Sequence, residues 1–232
     1  MSWSSKTALI VGVGPGLSAS LARRFAREGI QVALASRTTD DLAALAHETG
    51  ASTHACDASE PPAVAKLFAE VDARWGEPEI VVHNASGRVR GPFVELDPEA
   101  VRRSMEISAF GAFLVSQQAA RRMLPKRDGA IFLTGATAGV KGFPLSASFA
   151  MGKFALRGLA QSMARELMPS GIHVAHFVID GGIRSATRPD AAERPDSMLD
   201  PDAIAETYWN TLNQHRSAWS WEIEVRPWVE TF

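Results

Sequence analysis

The stretch Thr7 to Gly16 reads Thr-Ala-Leu-Ile-Val-Gly-Val-Gly-Pro-Gly and joins an apolar run to a glycine-rich turn. The apolar run has no polar alternation, which is typical of a strand buried on both faces of a parallel sheet. Leu17, Leu21 and Phe25 follow at every fourth residue and predict a helix that stops at Gly29. A strand, a glycine turn and a helix in this order predict a phosphate cradle, because glycines let the backbone approach a phosphate and a helix N-terminus supplies donors. The alternative is a tight turn without a ligand.

Strands and helices continue to alternate along the rest of the chain. The predicted strands are Gln31–Ala35, Ser52–Ala55, Ile80–His83, Ala130–Thr134, His173–Ile179 and Ser220–Val225. The predicted helices are a segment capped by Asp40 or Asp41 that ends at Gly50, then Pro61–Trp75, Pro98–Met123, Ser146–Met168 and Pro201–Gln214. We therefore predict one α/β domain over residues 1–232, a doubly wound parallel sheet (Rossmann fold) with helices on both faces. Arg184 to Asp200 has no periodicity and is interpreted as a mobile loop.

Composition and charge exclude several classes of protein. The chain has 232 residues, of which 46% are apolar and 22% charged, with a formal net charge of -2. The absence of a basic block argues against a nucleic-acid partner, and no apolar run approaches the roughly 20 residues of a membrane span. The single cysteine, Cys56, excludes an intrachain disulfide, and neither it nor the histidines show the spacing of metal ligands. We expect no metal, no membrane partner and a cytoplasmic location.

In a fold of this kind, the residues at the end of the second strand contact the ribose of a dinucleotide cofactor. This strand end reads Ala35-Ser36-Arg37-Thr38 and carries no carboxylate. In this fold an acidic residue here accepts from the 2′-hydroxyl of NAD, whereas an arginine accommodates the 2′-phosphate of NADP. Because Arg37 offers a planar fork for a phosphate, NADP is the expected cofactor and NAD the alternative. Arg37 could instead pair with Asp40 or Asp41 on the surface.

Several motifs, in this order and spacing, make nearly the whole chain resemble the short-chain dehydrogenase/reductase family. These motifs are Gly12 to Ser18 where that family has TGxxxGxG, Cys56-Asp57-Ala58 at the turn that contacts adenine, His83-Asn84-Ala85-Ser86-Gly87 at NNAG, Phe149xxxLys153 at YxxxK, and Asp180-Gly181-Gly182-Ile183 near PG. The resemblance implies an NAD(P)-dependent oxidoreductase. It implies cofactor contacts from Gly12, Gly14, Pro15, Gly16, Leu17, Ser36, Arg37, Asp57, Asn84, Ala85, Lys153, Gly181 and Ile183.

The departures from the family pattern fall on the catalytic residues. The family uses an Asn, a Ser, a Tyr and a Lys, and the corresponding positions here are Ser108, Ala136, Phe149 and Lys153. Only Lys153 is retained, and in the family this lysine binds the nicotinamide ribose and lowers the pKa of the tyrosine. The chain looks like a member of a subgroup that has Phe for Tyr and keeps the Lys. Read without the resemblance, Lys153 is a surface lysine one helical turn from a core phenylalanine.

Phe149 lacks the phenol that gives the substrate oxygen its proton. Losing a positioned general acid typically costs a factor of about 10²–10⁴ in rate. Other groups could supply this proton in place of the phenol: the hydroxyls of Ser146, Ser148, Thr134 and Thr137, or the ring of His83. Each of these residues also fits a role as a helix cap, a turn residue or a strand residue. We therefore expect an NADP-preferring reductase of an unidentified small substrate, such as a protonated imine or an activated double bond. The alternative is a non-catalytic nucleotide-binding sensor or scaffold.

Two further features bear on ligands and partners. Arg88 and Arg90 follow the fourth strand and could hold an anionic substrate, as could Arg184 and Arg188 in the predicted loop, although exposed loop arginines are common. The aromatic tail from Trp219 to Phe232 predicts either core packing or a subunit interface. The family resemblance implies packing through the helices Pro98–Met123 and Ser146–Met168, so we expect a homotetramer or a homodimer.

Overall fold

A computed structural model describes residues 6–185 and 187–229 of the chain. Its seven strands are β1 (Thr7–Val11), β2 (Gln31–Ser36), β3 (Ser52–Ala55), β4 (Ile80–His83), β5 (Ala130–Thr134), β6 (His173–Ile179) and β7 (Glu222–Val225). They form one sheet in the order β3-β2-β1-β4-β5-β6-β7, and every neighbouring pair is parallel. The predicted α/β fold with a doubly wound parallel sheet is confirmed.

Seven α-helices connect the strands. They are α1 (Leu17–Arg27), α2 (Ala43–Thr49), α3 (Pro61–Trp75), α4 (Pro98–Met105), α5 (Gly111–Met123), α6 (Ala147–Leu167) and α7 (Pro201–Leu212). Within the described ranges, no helix is both long and apolar enough to cross a membrane.

Two apolar layers, one on each face of the sheet, form the core. In β1 the side chains alternate, so Ala8 and Ile10 face one layer while Leu9 and Val11 face the other. Helices α1 and α7 complete the first layer, and α3, α5 and α6 complete the second. Because both faces are covered, strands β1, β4, β5 and β6 are buried along their whole length, as the unbroken run in β1 indicated, whereas the outer strands β3 and β7 are partly exposed.

Two details differ from the sequence prediction. Neither Asp40 nor Asp41 caps the second helix; both lie in a 3-10 turn that precedes α2, and no side chain caps either segment. The predicted helix Pro98–Met123 is divided, because a π-helical turn over Glu106–Phe110 separates α4 from α5. Such turns are rare and frequently mark functional sites.

The described residues between β6 and α7 form neither a helix nor a regular strand, in agreement with the prediction of a loop. Isolated bridges join Ile183 to Leu199 and Ser185 to Arg188. Arg184 makes ion pairs with Asp190 and Asp200 and so ties the two ends of the loop together.

The aromatic tail is partly packed. The ring of Trp219 stacks on His173, with ring centroids 4.6 Å apart, whereas Trp228 is 80% exposed. Phe232 lies outside the described residues. The tail is therefore half-buried against the sheet at Trp219 and exposed at Trp228.

Candidate active site

The strand order places a crevice at the carboxyl ends of β1 and β4. The connection from β1 leads to β2 on one side, while β4 lies on the other, and ligands of open α/β sheets bind outside such a switch point. A cleft of about 710 Å³ opens at this edge. Eight of the predicted cofactor residues line it: Gly12, Gly14, Pro15, Ser36, Arg37, Asp57, Asn84 and Ala85.

The glycine turn has the shape of a phosphate cradle. Gly12 has a φ of +89°, and a Cβ there would lie 2.2 Å from the backbone nitrogen of Ala85, so no other residue fits. Gly14 and Gly16 face open space, since a Cβ at either position would meet nothing within 4 Å. No side chain caps α1, which starts directly after Gly16, so its first N–H groups are available to a ligand. These residues fit the pyrophosphate of a dinucleotide.

A second recess adjoins this cradle. It is lined by Gly12, Gly14, Gly16, Leu17, Ser18, Asn84, Ile183, Arg184 and Ser185. The predicted residues Gly16, Leu17 and Ile183 therefore lie beside the cradle. Gly181 lines neither recess; a Cβ there would lie 2.9 Å from the ring of Pro227, which gives this glycine a packing role.

The side chain of Ser18 has an internal role. Its hydroxyl donates to the Gly12 carbonyl at 3.1 Å and accepts from the Asn84 amide at 2.7 Å. The Asn84 backbone N–H also donates to the Val11 carbonyl at 2.8 Å. Ser18 and Asn84 therefore brace the glycine turn against the end of β4.

The part of the cleft beyond β2 contains Arg37 and Asp57. Arg37 is exposed, and in the part of the chain that the structure describes no ion pair joins it to Asp40 or Asp41. Asp57 is bonded to Ser59 and forms an ion pair with Arg103. Partial burial opposes the charged form of Asp57, but the hydrogen bonds from Ser59 and the charge of Arg103 outweigh it and lower the pKa of the carboxyl group.

Lys153 is buried rather than exposed, so its interpretation as a surface lysine is wrong. The side chain is 3% exposed, and its Nζ donates to the Thr134 carbonyl at the end of β5, at 2.7 Å. Burial lowers the pKa of Lys153 to about 8. The Nζ lies 5.7 Å from the centroid of the Phe149 ring, so the predicted pairing on one helical face is present.

The other two predicted catalytic positions, Ser108 and Ala136, lie near α6, the helix that carries Lys153. Ser108 lies in the π-helical turn, where its buried hydroxyl accepts from the Gly87 N–H at 2.9 Å. It packs against α6, because a Cβ on Gly152 would lie 2.9 Å from the Ser108 Cβ. Ala136 is extended and precedes a 3-10 turn that packs on α6 near Lys153, where Gly139 approaches the Lys153 carbonyl.

Most of the alternative proton donors are engaged elsewhere. The Ser148 hydroxyl is bonded to both the N–H and the carbonyl of Val89, at 2.9 and 2.8 Å. The Thr134 hydroxyl shares a 2.8 Å hydrogen bond with Tyr208. Thr137 donates at 3.5 Å to the carbonyl of Ile179, at the end of β6.

Neither Ser146 nor His83 offers a better donor. Ser146 is buried at the start of α6. Burial, with a smaller contribution from the Lys153 charge, lowers the pKa of His83 to about 3, so its ring is neutral at physiological pH. His83 is therefore a poor acid. Among the described residues, no three His, Cys, Asp or Glu side chains could together hold a metal ion.

Several cleft residues were not predicted individually as cofactor contacts. Cys56, Ala58 and Ser86 belong to motifs that carry the family resemblance, so the signal for them was present in the sequence. Thr38 and Ile107 are next in sequence to the predicted residues Arg37 and Ser108. Arg23, on α1, had no such signal. Burial raises the pKa of the Cys56 thiol to about 11, so this cysteine is protonated at neutral pH.

Comparisons with known proteins agree with this geometry. The model of the family described as short chain dehydrogenase matches residues 6–195. The sorbitol dehydrogenase of Cereibacter sphaeroides is 33% identical over 187 residues, which cover 78% of this chain and 73% of that protein.

Two solved structures are similar over almost the whole chain. A short-chain dehydrogenase from Rhodopseudomonas palustris is 34% identical, with a TM-score of 0.84 and coverage of 97% of this chain and 99% of that one. A metagenomic short-chain oxidoreductase in complex with NADP is 26% identical, with a TM-score of 0.84 and coverage of 98% and 99%. The chain therefore belongs to the short chain dehydrogenase family, a family of NAD(P)-dependent oxidoreductases.

Proposed function

We propose that this chain is an NADP-preferring oxidoreductase that transfers hydride between the cofactor and a small substrate, without the proton-donating tyrosine and serine of its family. The observation that supports this most is the cleft itself: an open glycine cradle lies at one end, and at the other lies Arg37, which forms no ion pair with any other described residue. When bound, the nicotinamide supplies the hydride. The residues of this chain bind and orient that cofactor.

The preference for NADP depends on Arg37. A guanidinium at the end of β2 can bind a 2′-phosphate with charge-assisted hydrogen bonds, which contribute about 1.5–3 kcal/mol. Asp41 lines the same cleft and would oppose a second negative charge, so the balance requires a direct test. The similar structure that is in complex with NADP supports the same cofactor.

Calorimetric titration of NADPH and NADH into the wild type and an Arg37→Ala variant tests this preference. We expect NADPH to bind the wild type more tightly, and the substitution to reduce that preference by about tenfold or more. Arg27→Ala is the matched control, because Arg27 lies in the last turn of α1, at the opposite edge of the sheet. Equal affinities in the wild type, or an NADPH preference that survives Arg37→Ala, would refute the proposal.

The missing hydroxyls restrict the chemistry. Phe149 has no proton to give, Ala136 offers no hydrogen bond to a developing oxyanion, and the Ser148 and Thr134 hydroxyls are already bonded within the protein. A substrate that needs no phenolic acid fits best, such as a protonated imine, or an activated double bond that takes its proton from solvent. We infer that the chain belongs to the divergent group with Phe for Tyr.

The same missing hydroxyls favour one alternative function. A protein that keeps the cradle and Lys153 but lacks Tyr and Ser could bind the nucleotide as a sensor or scaffold. The two functions are separated by following NADPH oxidation over a panel of carbonyls, imines and enones. Turnover of any member supports the enzyme, whereas tight NADPH binding without turnover across the panel favours the sensor.

A further inference from the structure

Arg88 lies over the ring of Phe149, the residue at the position where the family has its reactive tyrosine. It follows β4, and its guanidinium carbon lies 5.0 Å from the centroid of the Phe149 ring. Lys153 approaches the same ring, with its Nζ 5.7 Å from the centroid. Two cationic side chains therefore converge on the one aromatic ring at the family's tyrosine position. Arg90, two residues later, makes no such contact within the described residues.

The backbone on both sides of Arg88 is fixed to buried groups. The Gly87 N–H donates to the buried Ser108 hydroxyl at 2.9 Å, and Gly87 itself packs so closely on α4 that a Cβ would lie 2.6 Å from the Ser104 Cα. Val89 is bonded through both its N–H and its carbonyl to the buried Ser148 hydroxyl. Arg88 therefore projects from an anchored segment, unlike an ordinary arginine on a free surface loop.

The two cations over Phe149 have no acidic partner. Within residues 6–185 and 187–229, Arg88 makes no ion pair, and the Lys153 amine donates to a neutral carbonyl, that of Thr134. By contrast, Arg157, on the same helix as Lys153, forms an ion pair with Glu222. A concentration of positive charge without a carboxylate favours an anionic ligand, and a guanidinium fork matches a carboxylate with two parallel hydrogen bonds.

The segment bonded to the backbone just after Arg88 carries exposed apolar side chains, and the Lys141 amine lies 5.6 Å from the centroid of the Phe143 ring. The Gly91 N–H donates to the Leu145 carbonyl at 3.3 Å, which joins the Arg88 segment to residues 141–146. In that segment the side chains of Phe143 and Leu145 are each 44% exposed. Leu145 has a φ of 62°, a conformation uncommon for a bulky residue, and strained residues of this kind cluster at ligand sites.

We propose that the substrate of this site carries a carboxylate on an apolar body, and that Arg88 binds that carboxylate above the Phe149 ring. The inference rests on the proposed function, because it assigns the substrate class of the same active site. Phe149 then has a positive role, as the surface on which the guanidinium rests.

The test compares two probes of nearly equal shape that differ in charge, hexanoate and hexanamide. Each is titrated at low ionic strength into the purified protein, first alone and then with saturating NADPH. The variants are Arg88→Gln, Arg88→Lys and the control Arg90→Gln, which removes one charge from the same segment. Thermal melting shows that each variant is folded.

We expect hexanoate to bind the wild type about tenfold more tightly than hexanamide, or better. Arg88→Gln should remove that preference, Arg88→Lys should keep part of it, and Arg90→Gln should change hexanoate affinity less than about twofold. Equal or undetectable binding of the two probes, or a preference that survives Arg88→Gln, overturns the proposal. The titration without cofactor separates the two hypotheses. A protein that discriminates the probes but does not bind NADPH contradicts the proposed function and leaves the Arg88 site standing.

Discussion

Replacing Lys153 by methionine should change how the stability of the protein depends on pH. The pKa of the buried lysine is lowered from its ordinary 10.5 to about 8. One pKa unit corresponds to about 1.4 kcal/mol, so keeping this charge buried costs the fold about 3 kcal/mol at pH 7. Methionine removes that cost but leaves the Thr134 carbonyl without its donor, which costs about 1–3 kcal/mol. The two effects nearly cancel at neutral pH, so the pH dependence is the diagnostic quantity.

The direction follows from the two protonation states. Below pH 8 the lysine is protonated in both the folded and the unfolded chain, so the difference between wild type and variant is constant. Between pH 8 and 10.5 the folded chain loses its proton while the unfolded chain keeps it, so the wild type gains stability relative to Lys153→Met. We expect a gain of about 2 kcal/mol between about pH 8 and pH 9.5.

Urea unfolding of both proteins at a series of pH values measures this difference. Lys66→Met is the control, since Lys66 is exposed on α3, and its unfolding free energy should stay parallel to that of the wild type. A difference between wild type and Lys153→Met that does not change from pH 7 to pH 10 would refute the argument that burial controls this lysine.

Three further predictions concern the cradle, the chemistry and the assembly. Gly12→Ala should abolish NADPH binding and lower the melting temperature, because its Cβ would lie 2.2 Å from the Ala85 nitrogen; a variant that melts normally and binds NADPH contradicts this. Phe149→Tyr combined with Ala136→Ser should create or increase NADPH-dependent ketone reduction, because the Lys153 charge favours the phenolate. A wild type that already reduces ketones at the rate of the double variant would show that another group donates the proton. Light scattering should give a mass that is a multiple of 25.0 kDa, and a monomer across a wide concentration range would rule out the expected homo-oligomer.

Large exposed apolar side chains support the prediction of an oligomer. They lie on the helices through which the family resemblance implies packing: Phe110, Phe113, Met151 and Phe154. Each is between 41% and 50% exposed. Covering such a patch would be favourable, at about 25 cal/mol for each Å² of apolar surface removed from water.

The strands and the glycine cradle could be predicted because their signals are local. An unbroken apolar run such as Thr7–Val11 has few interpretations, and the glycines of the cradle follow it directly in the chain. The π-helical turn could not be predicted in this way. It lies where Gly111 packs on the Ala58 carbonyl and Ser108 binds Gly87, contacts between residues far apart in the chain.

The same reasoning explains what was missed in the site. Lys153 was recognised from its spacing to Phe149, but its burial depends on β5, which supplies the Thr134 carbonyl. The contact between Arg88 and Phe149 joins two elements that no periodicity connects. The cap predicted at Asp40 or Asp41 failed because a 3-10 turn replaced the start of the helix. Local pattern therefore located the residues, and tertiary contacts decided their environments.

The strand order also bears on how the chain folds. Five of the six neighbouring strand pairs join strands that are consecutive in the chain, and the exception is β1 with β4, where Ala8 lies opposite Ile80. Closing this one long loop costs more entropy than any other pairing in the sheet, and non-local pairings slow folding. Strands β1–β3 and strands β4–β7 can each assemble from sequence neighbours before β1 pairs with β4. The cofactor cleft lies across the β1–β4 pair. A bound dinucleotide would therefore hold together the two parts of the sheet that meet last, and so oppose their separation.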